Sequence, residues 1–129
     1  EEAEDELFRA LGRTRMELMK DFGILMPRVD VSCKFRAPAR AEEMLEIGIA
    51  IESITMRRIS YRFEARKVDS RKLVCEGSYR VACIRQRTFK GTELPAKLRG
   101  LLKRMDGLVI AQRNDRRTPN PIRKTGWSF

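Results

Sequence analysis

The sequence predicts an α+β fold, with a helix packed on one antiparallel sheet. Three observations predict it. Residues Val29 to Ala65 hold three runs in which apolar and polar residues alternate, and Lys72–Ile84 holds a fourth. The runs are joined by short, turn-forming segments. The segment before them, Glu1–Phe22, instead repeats its apolar residues at three- and four-residue steps. Period two marks a strand with one buried face, and period 3.6 marks an amphipathic helix.

The elements follow in order. In Glu1–Phe22 the apolar stripe is Ala3, Leu7, Phe8, Leu11, Leu18, Met19 and Phe22. Gly12 interrupts it and marks a kink or a break into two helices. No capping Ser, Thr, Asp or Asn precedes Glu1, whereas Gly23 suits a helix C-cap. Ile24–Arg28, with Pro27, reads as a linker. In the first strand Val29, Val31, Cys33 and Phe35 alternate with Asp30, Ser32, Lys34 and Arg36, and Ala37-Pro38 ends it. In the second Leu45, Ile47, Ile49 and Ile51 alternate with Met44, Glu46, Gly48 and Ala50. In the third Ile59, Tyr61, Phe63 and Ala65 alternate with Arg58, Ser60, Arg62 and Glu64. Lys67–Arg71 centres on Asp69-Ser70 and reads as a hairpin turn. The fourth and longest strand, Lys72–Ile84, places Leu73, Cys75, Gly77, Tyr79, Val81 and Cys83 on one face. Arg85–Glu93 is a basic loop. Pro95 opens a short helix with the stripe Leu98, Leu101, Leu102 and Met105, and Gly107 ends it. Residues 1–107 thus read as one domain. Residues 108–129 read as a basic tail, extended or disordered, in which Arg113, Arg116, Arg117, Arg123 and Lys124 face only Asp115.

Composition bounds the function. The chain has 129 residues, 28 Lys and Arg against 18 Asp and Glu, and a formal net charge of +10. That balance suits an anionic partner such as nucleic acid, an acidic lipid surface or a phosphorylated small molecule, or else only a solvated basic surface. The charge is spread along the chain, and no basic strand carries interleaved aromatics, so nucleic acid is the least favoured partner. No apolar run approaches the roughly 20 residues of a membrane span. Histidine is absent. Ser-His-Asp and Cys-His mechanisms are thereby excluded, which leaves carboxylate, Lys, Tyr or Cys for acid–base work. Cys33, Cys75 and Cys83 lack metal-site spacing, so no metal is expected. All three lie on the apolar phase of their strands and are expected to be buried free thiols in a cytoplasmic protein.

The blocks EEAEDELFRALG, MELMKDFG, VDVSCKFRAPARAEEMLEI, YRFEARK, LVCEGSYRVACI and LPAKLRGLL resemble, in order and spacing, acyl-CoA thioester hydrolases of the 4-hydroxybenzoyl-CoA thioesterase family. The resemblance spans roughly Glu1 to Lys103. It implies the hotdog fold, a long helix packed on a curved antiparallel sheet. It implies hydrolysis of an acyl- or aroyl-CoA to the free acid and CoA, in a homo-oligomer of two or four hotdogs. No cofactor is implied beyond the coenzyme A of the substrate. A non-catalytic hotdog protein that binds acyl-CoA or a protein partner is the alternative.

In that family a first strand and a loop carrying a catalytic Asp precede the helix. Glu1-Glu2-Ala3 resembles the middle of that helix, so the family's Asp is carried onto no position. Glu2 and Glu6 are either helix carboxylates with a catalytic part or solvated helix acids. Where the family often has small residues, this chain has Arg57-Arg58. By resemblance these lie near the coenzyme A pocket. Either they hold its phosphates, as the guanidinium fork allows, or they are exposed charges at a strand start. Arg85, Arg87 and Lys90 in the following loop are the other candidates for the nucleotide.

Overall fold

The computed structural model describes residues 8–9, 14–40, 42–105, 110–113 and 123–124. Helix α1 is Arg15–Phe22. Thr14 precedes it in an extended conformation (φ −79°, ψ 154°), and its Oγ1 accepts the Glu17 N–H at 3.1 Å. This is an N-cap, so of the kink and the break expected near Gly12 the structure has a new helix start, placed at Thr14. Phe8 and Arg9 are helical, and the helix starts afresh at Arg15. The hydroxyl satisfies a first-turn amide that would otherwise lack a partner. Gly23 closes the helix at φ 65°, and its N–H reaches the Lys20 and Met19 carbonyls. Only a residue without Cβ enters that conformation at little cost.

The strands are β1 Ile24–Leu25, β2 Arg28–Phe35, β3 Leu45–Ile54, β4 Arg58–Lys67, β5 Leu73–Ala82, β6 Ile84–Arg85, β7 Ile110–Arg113 and β8 Arg123–Lys124; helix α2, Ala96–Lys103, lies between β6 and β7. Six strands form one antiparallel sheet in the order β2-β5-β4-β3-β7-β8. The expected linker after α1 is instead the short strand β1, paired with β6. Its Ile24 is buried in the core. The β4–β5 turn closes where Arg71 N–H donates to the Lys67 carbonyl at 2.9 Å, with Arg71 itself at φ 62°. Two tail segments also enter the sheet: β7 pairs with β3, and β8 pairs with β7. Strand pairing supplies their backbone partners, which local sequence pattern does not reveal.

One face of the sheet carries the core. Ile49, Ile51, Ile59, Tyr61, Tyr79 and Val81 are buried there with Leu18 of α1 and Leu98 and Leu102 of α2. The Tyr61 and Tyr79 rings stack with centroids 4.9 Å apart. The alternation read in β3, β4 and β5 matches burial only in part: Glu46, Gly48, Ala50, Glu64 and Val74 of the opposite phase are buried too, whereas Leu45, Ile47, Phe63, Leu73 and Cys75 are half-buried. β2 departs from it, because every residue of β2 is exposed, including Val31 at 61% and Phe35 at 80%. It is an outer strand of the sheet, and no described element covers its apolar face. The expectation of three buried thiols is corrected with it: Cys33 is exposed, Cys75 is half-buried and only Cys83 is buried.

The close packing of β2 on β5 depends on Gly77. A Cβ there would collide with the Ser32 carbonyl oxygen and stand 2.7 Å from the Phe63 ring. The opposite sheet face holds ion pairs. Glu46, 2% exposed, meets Arg71 at 3.3 Å, Glu64 meets Arg66 at 3.1 Å, and Glu76 meets Arg36 at 3.5 Å. These pairs match arginines to carboxylates within the sheet and leave the formal excess of +10 to the other basic residues.

Candidate functional site

Two depressions lie at opposite ends of the sheet. The first, of about 610 Å³, forms where the α1 C-cap, the β3–β4 turn, the 86–94 loop and the start of α2 meet. The loop is tied down on three sides. Gln86 N–H donates to the Gly23 carbonyl at 3.0 Å, Thr92 N–H to the Cys83 carbonyl at 2.9 Å, and Leu94 N–H to the Met56 carbonyl at 2.7 Å. These bonds converge three guanidinium groups, Arg57, Arg85 and Arg99, on one pocket, with Glu93 as the acidic side chain of its wall.

Arg99 is held differently from the other two. Its Nη2 donates to the Leu94 carbonyl at 3.1 Å, while its Nε is buried without a hydrogen-bond partner. A buried cationic donor without an acceptor is costly, and a negative charge in the adjacent pocket would offset part of that cost. Pro95, the N-cap of α2, offers no side-chain acceptor to the first-turn amides, and the first turn holds no acid. The positive end of the helix dipole is therefore left uncompensated beside the same pocket.

The five basic residues read from the sequence separate here. Arg57 and Arg85 line the pocket. Arg58 does not, although it adjoins Arg57. It opens β4, where strand alternation sets it on the other face from the buried Ile59. Arg87 and Lys90 are exposed on the loop outside the lining. Arg99 was missed because the Leu98–Met105 stripe reads as core packing. A signal was present: cations in the opening turns of a helix oppose its dipole, and α2 opens with Lys97 and Arg99 and no acid.

The second depression, of about 670 Å³, is an apolar trough beside the Phe35 end of β2. Phe35, Pro38, Leu45, Ile47, Ala65 and Cys75 form most of its wall. Among the described residues no carboxylate lines it. Burial, and then the nearby Cys33 thiol, push the Cys75 thiol above the ordinary range. Cys75 is thereby a poor nucleophile at neutral pH. The nominated Glu2 and Glu6 lie outside the described residues. Among the described residues no three potential metal ligands cluster, and no helix is long and apolar enough to cross a membrane.

This arrangement of strands matches known structures. A 1,4-dihydroxy-2-naphthoyl-CoA thioesterase from Synechocystis superposes with a TM-score of 0.70 at 20% identity, over 79% of this chain and 74% of that one. The DHNA-CoA thioesterase of Staphylococcus aureus gives 0.71 at 21%, over 79% and 69%. A probable thioesterase from Escherichia coli gives 0.63 at 20%, over 69% and 67%. The fold is the hotdog fold that these structures share. Of the long helix expected with it, the described residues contain Phe8–Arg9 and the eight-residue α1. No family model matches the chain, and no curated protein matches it.

Proposed function

We propose that this hotdog protein is an acyl-CoA thioester hydrolase of the 4-hydroxybenzoyl-CoA thioesterase type, acting on an acyl- or aroyl-CoA. The observation that carries this reading is the pairing of an apolar trough with a three-arginine pocket on one hotdog sheet. The two correspond to the two chemical ends of the substrate. The trough suits the acyl group, and the guanidinium pocket suits phosphate oxygens. Arg57, Arg85 and Arg99 would contact the phosphates directly. Arg58, Arg87 and Lys90 would add only long-range attraction, which salt screens. The named neighbours support thioester chemistry at the level of the class. The reading needs no metal or cofactor beyond the coenzyme A of the substrate, and the three free thiols suit a cytoplasmic location.

Hydrolysis requires a carboxylate that attacks the carbonyl or activates water, and amides that polarise the thioester oxygen. Without a carboxylate in the described trough wall, binding of acyl-CoA without turnover is the second reading. A thiol-release assay across short-chain, long-chain and aromatic acyl-CoAs separates the two. Release above the uncatalysed rate supports the enzyme. Saturable binding without release supports the non-catalytic reading, and the absence of both release and binding rejects both.

A homo-oligomer is part of the reading. Among the described residues β2 ends the sheet, and its Val29, Val31 and Phe35 are exposed. An unpaired apolar edge pairs readily with a second copy. Light scattering on the eluting protein is expected to give two or four chains per particle. A single chain at micromolar concentration would reject the oligomer.

A further inference from the structure

The thioester reading makes no use of the cysteines, yet the sheet brings two of them together. In the β2–β5 ladder Cys33 stands opposite Gly77, and Phe35 stands opposite Cys75. Cys33 and Cys75 are thus one cross-strand pair apart and on the same face. At this point β2 backbone lies against Gly77, where an added Cβ would collide with the Ser32 carbonyl and stand 3.0 Å from the Cys33 Cα. Diagonal neighbours on a sheet have Cα atoms about 7–8 Å apart, beyond the usual disulfide span of roughly 4.4–6.8 Å, so bridging needs a small backbone shift, which the outer strand β2 can make. Cys33 is exposed, Cys75 is half-buried in the trough wall, and both are free thiols. Cys83 is buried farther along the chain, just beyond β5.

We propose that Cys33 and Cys75 form a dithiol site that a small-molecule disulfide oxidises to an intramolecular cross-strand disulfide. Exposure assigns the order of the steps. The Cys33 thiolate attacks one sulfur of the reagent disulfide and expels the other as a thiolate. This leaves a mixed disulfide on Cys33. Cys75 then loses its proton, attacks the Cys33 sulfur and expels the second reagent thiol. Two protein thiols are oxidised and one reagent disulfide is reduced to two thiols. The short distance between the two cysteines makes the second step intramolecular and keeps the mixed disulfide from accumulating. The bond would tie the outer strand β2 to β5. Because Cys75 is part of the trough wall, it would also reshape that wall.

The test is to treat the full chain with oxidised glutathione, trap residual thiols with N-ethylmaleimide, and measure intact mass and non-reduced tryptic peptides. Cleavage after Arg28, Lys34, Lys72 and Arg80 puts the three cysteines on separate peptides. The expected product is one chain that has lost two hydrogens, with the Cys33 peptide joined to the Cys75 peptide and Cys83 still reduced. Cys75→Ser should instead hold glutathione on Cys33, and Cys33→Ser should show neither product. Glutathione accumulating on Cys33 of the unaltered protein would overturn the proposal. So would a Cys33 bridge between two chains, or no reaction at all. Because Cys33 is exposed, its serine variant is expected to fold, and circular dichroism checks this independently of the chemistry.

Discussion

Arg57→Ala and Arg85→Ala should each raise the KM for an acyl-CoA substrate by about tenfold, with kcat much less affected. Hydrogen bonds to charged groups are worth roughly 1.5–3 kcal/mol, and about 1.4 kcal/mol is a factor of ten in affinity. The low end applies because both side chains are open to solvent, which weakens each pair. Arg58→Ala serves as the control. It adjoins Arg57 in sequence but lies outside the pocket, so its KM should stay within about twofold of the unaltered protein, as only long-range attraction is lost. The measurement is steady-state kinetics at two salt concentrations, or direct binding if no turnover occurs. Equal effects from all three substitutions would mean that the surface acts only through total charge. No effect from Arg57 and Arg85 would remove the phosphate role from the pocket.

Gly77→Ala should strongly destabilise the protein. The new Cβ meets backbone on one side and the Phe63 ring on the other, so β2 must move away from β5. Overpacking of this kind costs typically 1–3 kcal/mol, and the backbone contact places it at or above the upper end. Urea unfolding should show a lower midpoint. Gly100→Ala is the matched comparison. Nothing lies within 4 Å of a Cβ there, and the residue sits within α2. It should stabilise by roughly 0.5–1 kcal/mol, the helix-propensity gain over glycine. If the two variants moved the midpoint equally, the close approach of β2 to β5 would be wrong.

The two sites differ in how far the sequence announces them. The trough lies on the alternating apolar phase of β2, β3, β4 and β5, which is visible residue by residue. Its character, though not its position, was therefore legible. The cationic pocket was only half legible. Arg57 and Arg85 stand out as charges at element ends, whereas Arg99 is hidden in a helix whose apolar stripe dominates the reading. The adjacency of Arg57 and Arg58 misleads, because one lies in a turn and the next begins a strand, and neighbours on a strand diverge.

By itself the sequence determined the elements whose partners are local. It determined the three core strands β3, β4 and β5 through their alternation, the 67–71 turn, the Gly23 cap and the Leu98–Leu102 stripe of α2. Each is encoded by spacing along the chain. Only the tertiary structure decided that the helix starts afresh at Arg15, with Thr14 as its cap, and that no described element covers β2. Only it brought β7 from the tail to the side of β3, some sixty residues away. These outcomes depend on which segments meet in space. The same alternation of Val29, Val31, Cys33 and Phe35 is compatible with a buried or an open face, and what packs above it, not its own periodicity, makes the choice.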